Sequence, residues 1–182
     1  MLTLQFDQNA LKDKNRFELL ITDENELSGL PESARDAAAM LAKSKDKNGW
    51  LFNLSAPSYI PFMRYSDKRD LREKMYREYM SVGNKGDEFD NKDIIKKIVN
   101  IRLEIAQLMG FKNYAEYALE HTMAKNSANV YKLLNQLLEA YKPIAINEYN
   151  AVEGFALGTE KENITVMPWD WSCLLYTSDA AD

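Results

Sequence analysis

The feature that most constrains the fold is a run between Asp90 and Gly110 in which apolar residues recur every three or four positions. The residues of this stripe are Ile94, Ile98, Ile101, Ile105 and Leu108. That spacing follows the turn of an α-helix and puts the stripe on one helix face, which needs an apolar partner. Asp90 suits the start of such a helix and Gly110 its end. The stretch therefore predicts an amphipathic helix that packs against other elements.

Four more segments show helical patterns, each opening at a residue type that caps helices. They run from Ser33 to about Lys45, from Ser66 to about Met80, from Asn113 to about Thr122, and onward from Asn126 or Ser127. The last has an apolar face over residues 130–141, and Pro143 predicts a kink with room for a second helix to about Glu153. With only seven glycines and five prolines in the chain, these patterns predict an all-α protein.

Short extended segments are expected near the N-terminus. Within residues 1–30, Leu2–Phe6 and Phe17–Thr22 carry β-compatible residues around a polar centre at residues 13–15, which predicts extended chain or loop. Trp50–Leu54 is a short apolar run that also predicts extended chain. Pro57 and Pro61 follow it, and we expect them to block a helix over residues 56–61.

Composition bounds the class of protein. The chain has 182 residues and a mass of 21.0 kDa, enough for one domain or a piece of a larger one. The net charge of −5 and the lack of a basic stripe argue against nucleic-acid binding. No apolar run reaches the ~18 residues of a membrane helix, and the start does not resemble a signal peptide. Cys173 is the single cysteine, so no intrachain disulfide is expected. These features favour the cytoplasm without excluding the periplasm.

Residues for catalysis are scarce. The single histidine, His121, cannot supply a zinc site of the usual kind, and Cys173 lacks an evident base. Glu153, Glu160 and Glu162 read as a solvated charged face rather than a carboxylate metal site. Residues 83–86 lack the spacing of a phosphate-binding loop and predict a turn. We expect no catalytic, cofactor-binding or metal-binding residue in this chain.

The segment Pro168–Trp171 places Asp170 between two tryptophans. Such a pair of rings can stack on a ligand, but tryptophan contributes to protein cores so often that packing is the favoured interpretation.

Several stretches, taken in order, resemble one known family. They are residues 26–33 with the alanine-rich segment after them, 50–54, 57–59, 67–77, 102–111, 113–115, 123–125 and 168–171. The sharpest are Leu-Met-Gly-Phe at residues 108–111 and Pro-Trp-Asp-Trp at 168–171. Together they look like the middle of a bacterial peptidyl-dipeptidase of the thimet oligopeptidase (M3) family. The likeness covers nearly all of residues 2–172.

The resemblance implies two largely helical lobes that flank a deep channel, in which zinc hydrolyses oligopeptides and releases C-terminal dipeptides. In the family the zinc is held by a His-Glu-x-x-His helix and a further Glu. No residue of this sequence matches those positions. We therefore expect residues 1–172 to be an incomplete helical part of such a peptidase, with zinc in the full-length parent and none here, and we expect this chain alone to be inactive.

The likeness ends after Ser172. Residues 173–182 are what translation of a sequencing-library adapter, a transposon end, would give, so we expect them to be a non-native tail. An alternative is a complete, non-catalytic helical module that binds a peptide or a protein. For an incomplete chain we expect a large exposed apolar patch, although the stripes at 94–108 and 130–141 can cover each other, and we expect poor stability or aggregation.

Overall fold

A computed structural model describes residues 1–159 and 165–179, and these residues are mostly helical. The elements in chain order are α1 (Leu2–Arg16), β1 (Leu19–Ile21), a 3₁₀ helix (Glu24–Leu27), α2 (Glu32–Ser44), β2 (Trp50–Phe52), α3 (Ala56–Tyr65), α4 (Arg69–Met80), α5 (Lys92–Leu108), α6 (Tyr114–Leu119), α7 (Ser127–Thr159) and α8 (Trp171–Asp179). The all-α prediction is confirmed, with one small two-stranded sheet. None of the helices within the described ranges has both the length and the apolar character needed to cross a membrane.

The chain divides into two compact units. One, the sheet unit, comprises residues 7–91 and 152–182; the other, the helical unit, comprises residues 1–6 and 92–151. The sheet unit holds an apolar core in which β1 and β2 pair antiparallel, with Leu20 opposite Leu51. Phe52 of β2 meets Phe62 of α3 edge to face, with ring centroids 4.8 Å apart. The predicted extended segments Phe17–Thr22 and Trp50–Leu54 are thus confirmed by β1 and β2.

The expectation for Leu2–Phe6 is wrong, because these residues open helix α1, which continues to Arg16. Extended chain or loop was expected around the polar centre at residues 13–15, yet Asp13 lies inside the helix and is fully buried. Its carboxylate accepts hydrogen bonds from the Gly83 amide at 2.7 Å and from Lys85 at 3.3 Å, and it pairs with Arg16. A partner seventy residues away explains this buried aspartate, and no local pattern reveals it.

The prediction that prolines block a helix over residues 56–61 is also wrong. Helix α3 runs through Pro57 and Pro61. Pro57 lies in the first helical turn, where a backbone N–H has no helical acceptor and its absence costs little. Pro61 gives up one helical hydrogen bond, but the next two residues, Phe62 and Met63, enter the core. Their burial offsets the missing bond.

Other helix boundaries differ by a few residues from the predictions. Helix α2 begins at Glu32 after Pro31, one position ahead of Ser33. Helix α4 begins at Arg69 rather than after Ser66, which instead ends α3. Asn113 caps α6 as predicted: its side chain accepts a 3.0 Å hydrogen bond from the Glu116 amide.

In the helical unit, helix α5 ends as the sequence predicted. Gly110 has a φ of 83°, which favours glycine, and the chain turns there so that the Phe111 amide donates to the Ala106 carbonyl at 2.8 Å. Phe111 then packs edge to face on Tyr117. The glycine therefore turns the chain from α5 towards α6.

Helix α7 is one continuous helical segment from Ser127 to Thr159 that includes Pro143, so the predicted second helix is part of the first. Asn126 caps it, accepting a hydrogen bond from the Asn129 amide at 2.9 Å. The expectation that the stripes of α5 and α7 cover each other is wrong. Ile101, Ile105, Leu134 and Leu137 are each at least 40% exposed, and only Ile94 of the α5 stripe is buried.

Candidate functional site

The best-defined polar site of the described residues is the turn that contains Pro168 and leads into α8. The Asp170 amide donates to the Met167 carbonyl at 2.9 Å, and the Asp170 carboxylate accepts from the Met167 amide at 3.0 Å. The Asp170 carbonyl accepts from the Leu174 amide at 2.9 Å and so starts the hydrogen bonding of α8. One aspartate therefore closes the turn and opens the helix.

Two arginines of α4 hold this aspartate. They are spaced three residues apart, which puts both on one face of the helix. Arg69 donates from Nε and Nη2 to the carboxylate, with the shortest contact at 2.7 Å, and Arg72 donates from Nη2 at 3.0 Å. Such charge-assisted bonds are about twice as strong as neutral ones. We call Arg69, Arg72 and Asp170 the arginine clamp.

The two arginines differ in their surroundings. The Arg72 side chain is buried and also donates to the Trp169 carbonyl at 3.2 Å and to the Ser66 carbonyl at 2.6 Å. The Arg69 side chain is 42% exposed and also donates to the Thr165 carbonyl. Arg72 thus joins the end of α3 to the turn in the interior, whereas Arg69 closes the clamp at the surface.

The electrostatics of the clamp favour a charged carboxylate. Burial works against ionisation of Asp170, but hydrogen bonds from Arg69, the Met167 amide and Arg72 outweigh it and hold the pKa of Asp170 below its usual range. The clamp is therefore an ion pair at neutral pH. A carboxylate saturated in this way fixes the backbone and is not a free general base.

The tryptophans on either side of Asp170 occupy different environments. Trp169 is buried, packs against Tyr76 and lies under the guanidinium of Arg77, which is 4.9 Å from its ring. Trp171 is half-buried at the start of α8. The packing interpretation is right for Trp169, and its ring is not available to stack on a ligand.

The candidate catalytic residues do not form a site. The side chain of His121 is 90% exposed and lies 3.6 Å from the neighbouring Glu120. Cys173 is a half-buried free thiol and Glu153 is half-buried in α7. Glu160 and Glu162 lie outside the described residues.

The metal chemistry that the resemblance implies has no donor set in the described part of the chain. Within residues 1–159 and 165–179, no group of three or more His, Cys, Asp or Glu side chains is placed to hold a metal ion. A lone exposed histidine beside one carboxylate does not fit zinc, which takes three protein ligands in catalytic sites. No step through zinc can be built on these residues.

The Gly83–Gly86 segment is a turn, as predicted. Gly83 and Gly86 both have positive φ, and their amides donate to the carboxylates of Asp13 and Asp90, at 2.7 Å and 2.6 Å. Lys85 donates to Asp13 and to Glu78 at 2.6 Å. Carboxylates of the protein itself therefore take the amides and the ammonium that a phosphate would need.

Reasoning from the sequence missed Arg69 and Arg72 as partners of Asp170. Their three-residue spacing was a signal for a shared helix face, and an aspartate between two tryptophans was a signal for a buried charge. Nothing in the sequence connected the two signals, because the clamp joins residues about a hundred positions apart.

A family model and several curated proteins match this chain, and these matches agree with one another. The family described as Peptidase family M3 matches residues 62–178. Oligopeptidase A of Haemophilus influenzae is 40% identical over 93% of this chain and 25% of its own length. The probable cytosolic oligopeptidase A of Arabidopsis thaliana is 38% identical over 94% of this chain and 26% of its own. Dipeptidyl carboxypeptidase of Escherichia coli is 28% identical over 94% of this chain and 25% of its own.

This chain therefore spans about a quarter of the length of the curated relatives it matches. The region matched by the family includes α4 and the turn at Pro168, so the arginine clamp lies wholly within it. Since the match covers more than half of the sequence, the chain belongs to peptidase family M3, a family of metallopeptidases.

Proposed function

We propose that this chain is part of a longer zinc-dependent oligopeptidase that hydrolyses short peptides. The observation that carries the proposal is the 40% identity to an oligopeptidase A over 93% of the chain, joined to the family match over residues 62–178. Oligopeptides are then the substrates of the full-length protein. Neither nucleic acid nor a membrane is proposed as a partner, and the cytoplasm is the proposed location.

Release of C-terminal dipeptides is the second candidate activity. The relative that carries this activity in its name, a dipeptidyl carboxypeptidase, is 28% identical, against 37–40% for the bacterial oligopeptidases A. The identities favour cleavage of an oligopeptidase type. Mass spectrometry of the peptides that the full-length protein releases distinguishes the two activities. A ladder of C-terminal dipeptides supports the dipeptide-releasing activity, and cuts at internal bonds support the oligopeptidase activity.

Within that protein we propose a structural role for residues 1–172, which would form part of the helical wall of the substrate channel. The arginine clamp supports a fixed rather than a reacting role for the turn at Asp170, because its three side chains are bonded to one another and to backbone groups of residues 66, 165, 167 and 169. The described residues do not fit a zinc ion, so the metal would be held elsewhere in the full-length protein. This chain by itself is then inactive.

The test of this proposal compares two purified proteins under one assay. The 182-residue chain and the oligopeptidase A of H. influenzae are each dialysed against zinc and given a quenched fluorescent peptide. We expect bound zinc and peptide hydrolysis only for the oligopeptidase A. Chelator-sensitive hydrolysis by the chain, restored by zinc, would overturn the assignment of a non-catalytic part.

The other class of function, a helical module that binds a peptide or protein, is favoured by the exposed apolar faces of α5 and α7. A binding module would also show no hydrolysis, so the enzyme assay does not distinguish it from part of a peptidase. The genomic sequence beyond the codon for Ser172 distinguishes these two functions. A reading frame that continues into a His-Glu-x-x-His helix supports the peptidase.

We propose further that residues 173–182 are not native. In the structure residues 171–179 form α8, with Tyr176 packing edge to face on Tyr65, and the family match extends to residue 178. The helix does not bear on the origin of the codons, whereas the family match over residues 173–178 counts against the proposal. The same genomic sequence tests this proposal: codons for residues 173–182 in the source genome would contradict it.

A further inference from the structure

We draw no further inference here: the strongest candidate, the exposed apolar surface of α5 and α7 in the helical unit, carries nothing because no feature of the structure shows what covers it.

Discussion

The sheet unit and the helical unit use apolar residues of the same kinds in opposite ways. In the sheet unit, Leu27, Phe62 and Met75 are fully buried, and they belong to one continuous core. In the helical unit, Leu134 and Tyr141 of α7 are 51% and 62% exposed. The sheet unit has the packed interior that folding needs, whereas the apolar side chains of α7 over residues 131–151 are exposed.

The difference shows what helical periodicity specifies. A stripe such as Ile94 to Leu108 fixes which face of a helix is apolar, but it leaves open what that face packs against. Isolated helices draw little stability from propensity, and most of it comes from packing of the apolar face. We therefore expect the stability of this chain to reside mainly in the sheet unit, and the tendency to aggregate to reside in α5 and α7.

The largest effect should come from emptying the core of the sheet unit. Phe62→Ala removes a fully buried ring that packs on Phe52, and we expect the free energy of unfolding to fall by about 3–5 kcal/mol. The matched truncation Leu134→Ala, in an exposed face of α7, should change it by no more than about 0.5 kcal/mol. Urea unfolding followed by far-ultraviolet circular dichroism measures both variants, because both units contain helices, and tryptophan fluorescence reports the sheet unit separately, because all three tryptophans lie there. Equal effects of the two substitutions would contradict the comparison.

The arginine clamp should give the next largest effect. Asp170→Asn keeps the shape but removes the charge that Arg69 and Arg72 share, leaving a buried guanidinium with a weaker acceptor. Hydrogen bonds to charged groups are worth about 1.5–3 kcal/mol, and we expect a loss of that size. Glu73→Gln, which weakens the exposed Glu73–Arg77 pair, is the control and should have little effect. A loss no larger than that of the control would show that the clamp does not hold the turn.

The arginine clamp also predicts how the stability of the chain depends on pH. Because the pKa of Asp170 is lower in the folded than in the unfolded protein, its contribution is complete above the unfolded pKa, about 4, and is lost as the pH falls through the folded pKa. The stability difference between the unmodified chain and Asp170→Asn should therefore be constant from pH 7 to pH 5 and shrink below about pH 4. Urea unfolding of both proteins across this pH range tests whether the stability difference shrinks in acid. A difference that grows in acid would contradict it.

Local chemistry explains which elements the sequence predicted. The α5 stripe, the Asn113 cap and Gly110 are recognisable because their interactions lie within one or two helical turns, and the strands β1 and β2 follow from short apolar runs. Leu2–Phe6 was misassigned because the buried carboxylate of Asp13 depends on a hydrogen bond from the Gly83 amide and an ion pair with Lys85, far along the chain. The helix through Pro57 and Pro61 was missed because burial of Phe62 offsets a local penalty.

The site shows the same limit. The segment at Pro168 drew attention through its two tryptophans, and Trp169 is indeed buried. Its organising residue is Asp170, however, and the arginines that hold it are identified only once α4 and the turn meet in the fold. Long-range ion pairs of this kind leave no periodicity, so pattern analysis of a single sequence does not find them.

A smaller effect is expected at the helix cap in the helical unit. Asn113→Ala removes the acceptor of the Glu116 amide and should lower the stability of α6 by about 1 kcal/mol. Asn100→Ala, at an exposed position within α5, is the matched control and should be neutral or slightly stabilising because alanine is the better helix former. Far-ultraviolet circular dichroism is the readout, since no tryptophan lies in this unit. If both variants melt alike, Asn113 does not act as a cap.

The smallest change in stability, with a distinct change in behaviour, should follow from charging the exposed face of α7. Leu134→Glu combined with Leu137→Glu replaces two exposed side chains by a good helix former, so the free energy of unfolding should move by no more than about 0.5 kcal/mol per site. The double variant should nevertheless scatter less light at a given concentration, because it interrupts an apolar patch of the kind that drives association.

The control for this prediction is an exposed apolar residue outside that patch. Met40 is 73% exposed on α2 in the sheet unit, and Met40→Glu adds the same kind of charge at a single site. If the contrast between the units is right, this change leaves the light scattering nearly unaltered, because a solitary exposed apolar side chain is ordinary on protein surfaces. If Met40→Glu reduces the light scattering as much per added charge as the α7 variant does, net charge rather than the exposed face of α7 governs association. The two units would then differ in how their apolar residues pack, but not in their tendency to associate.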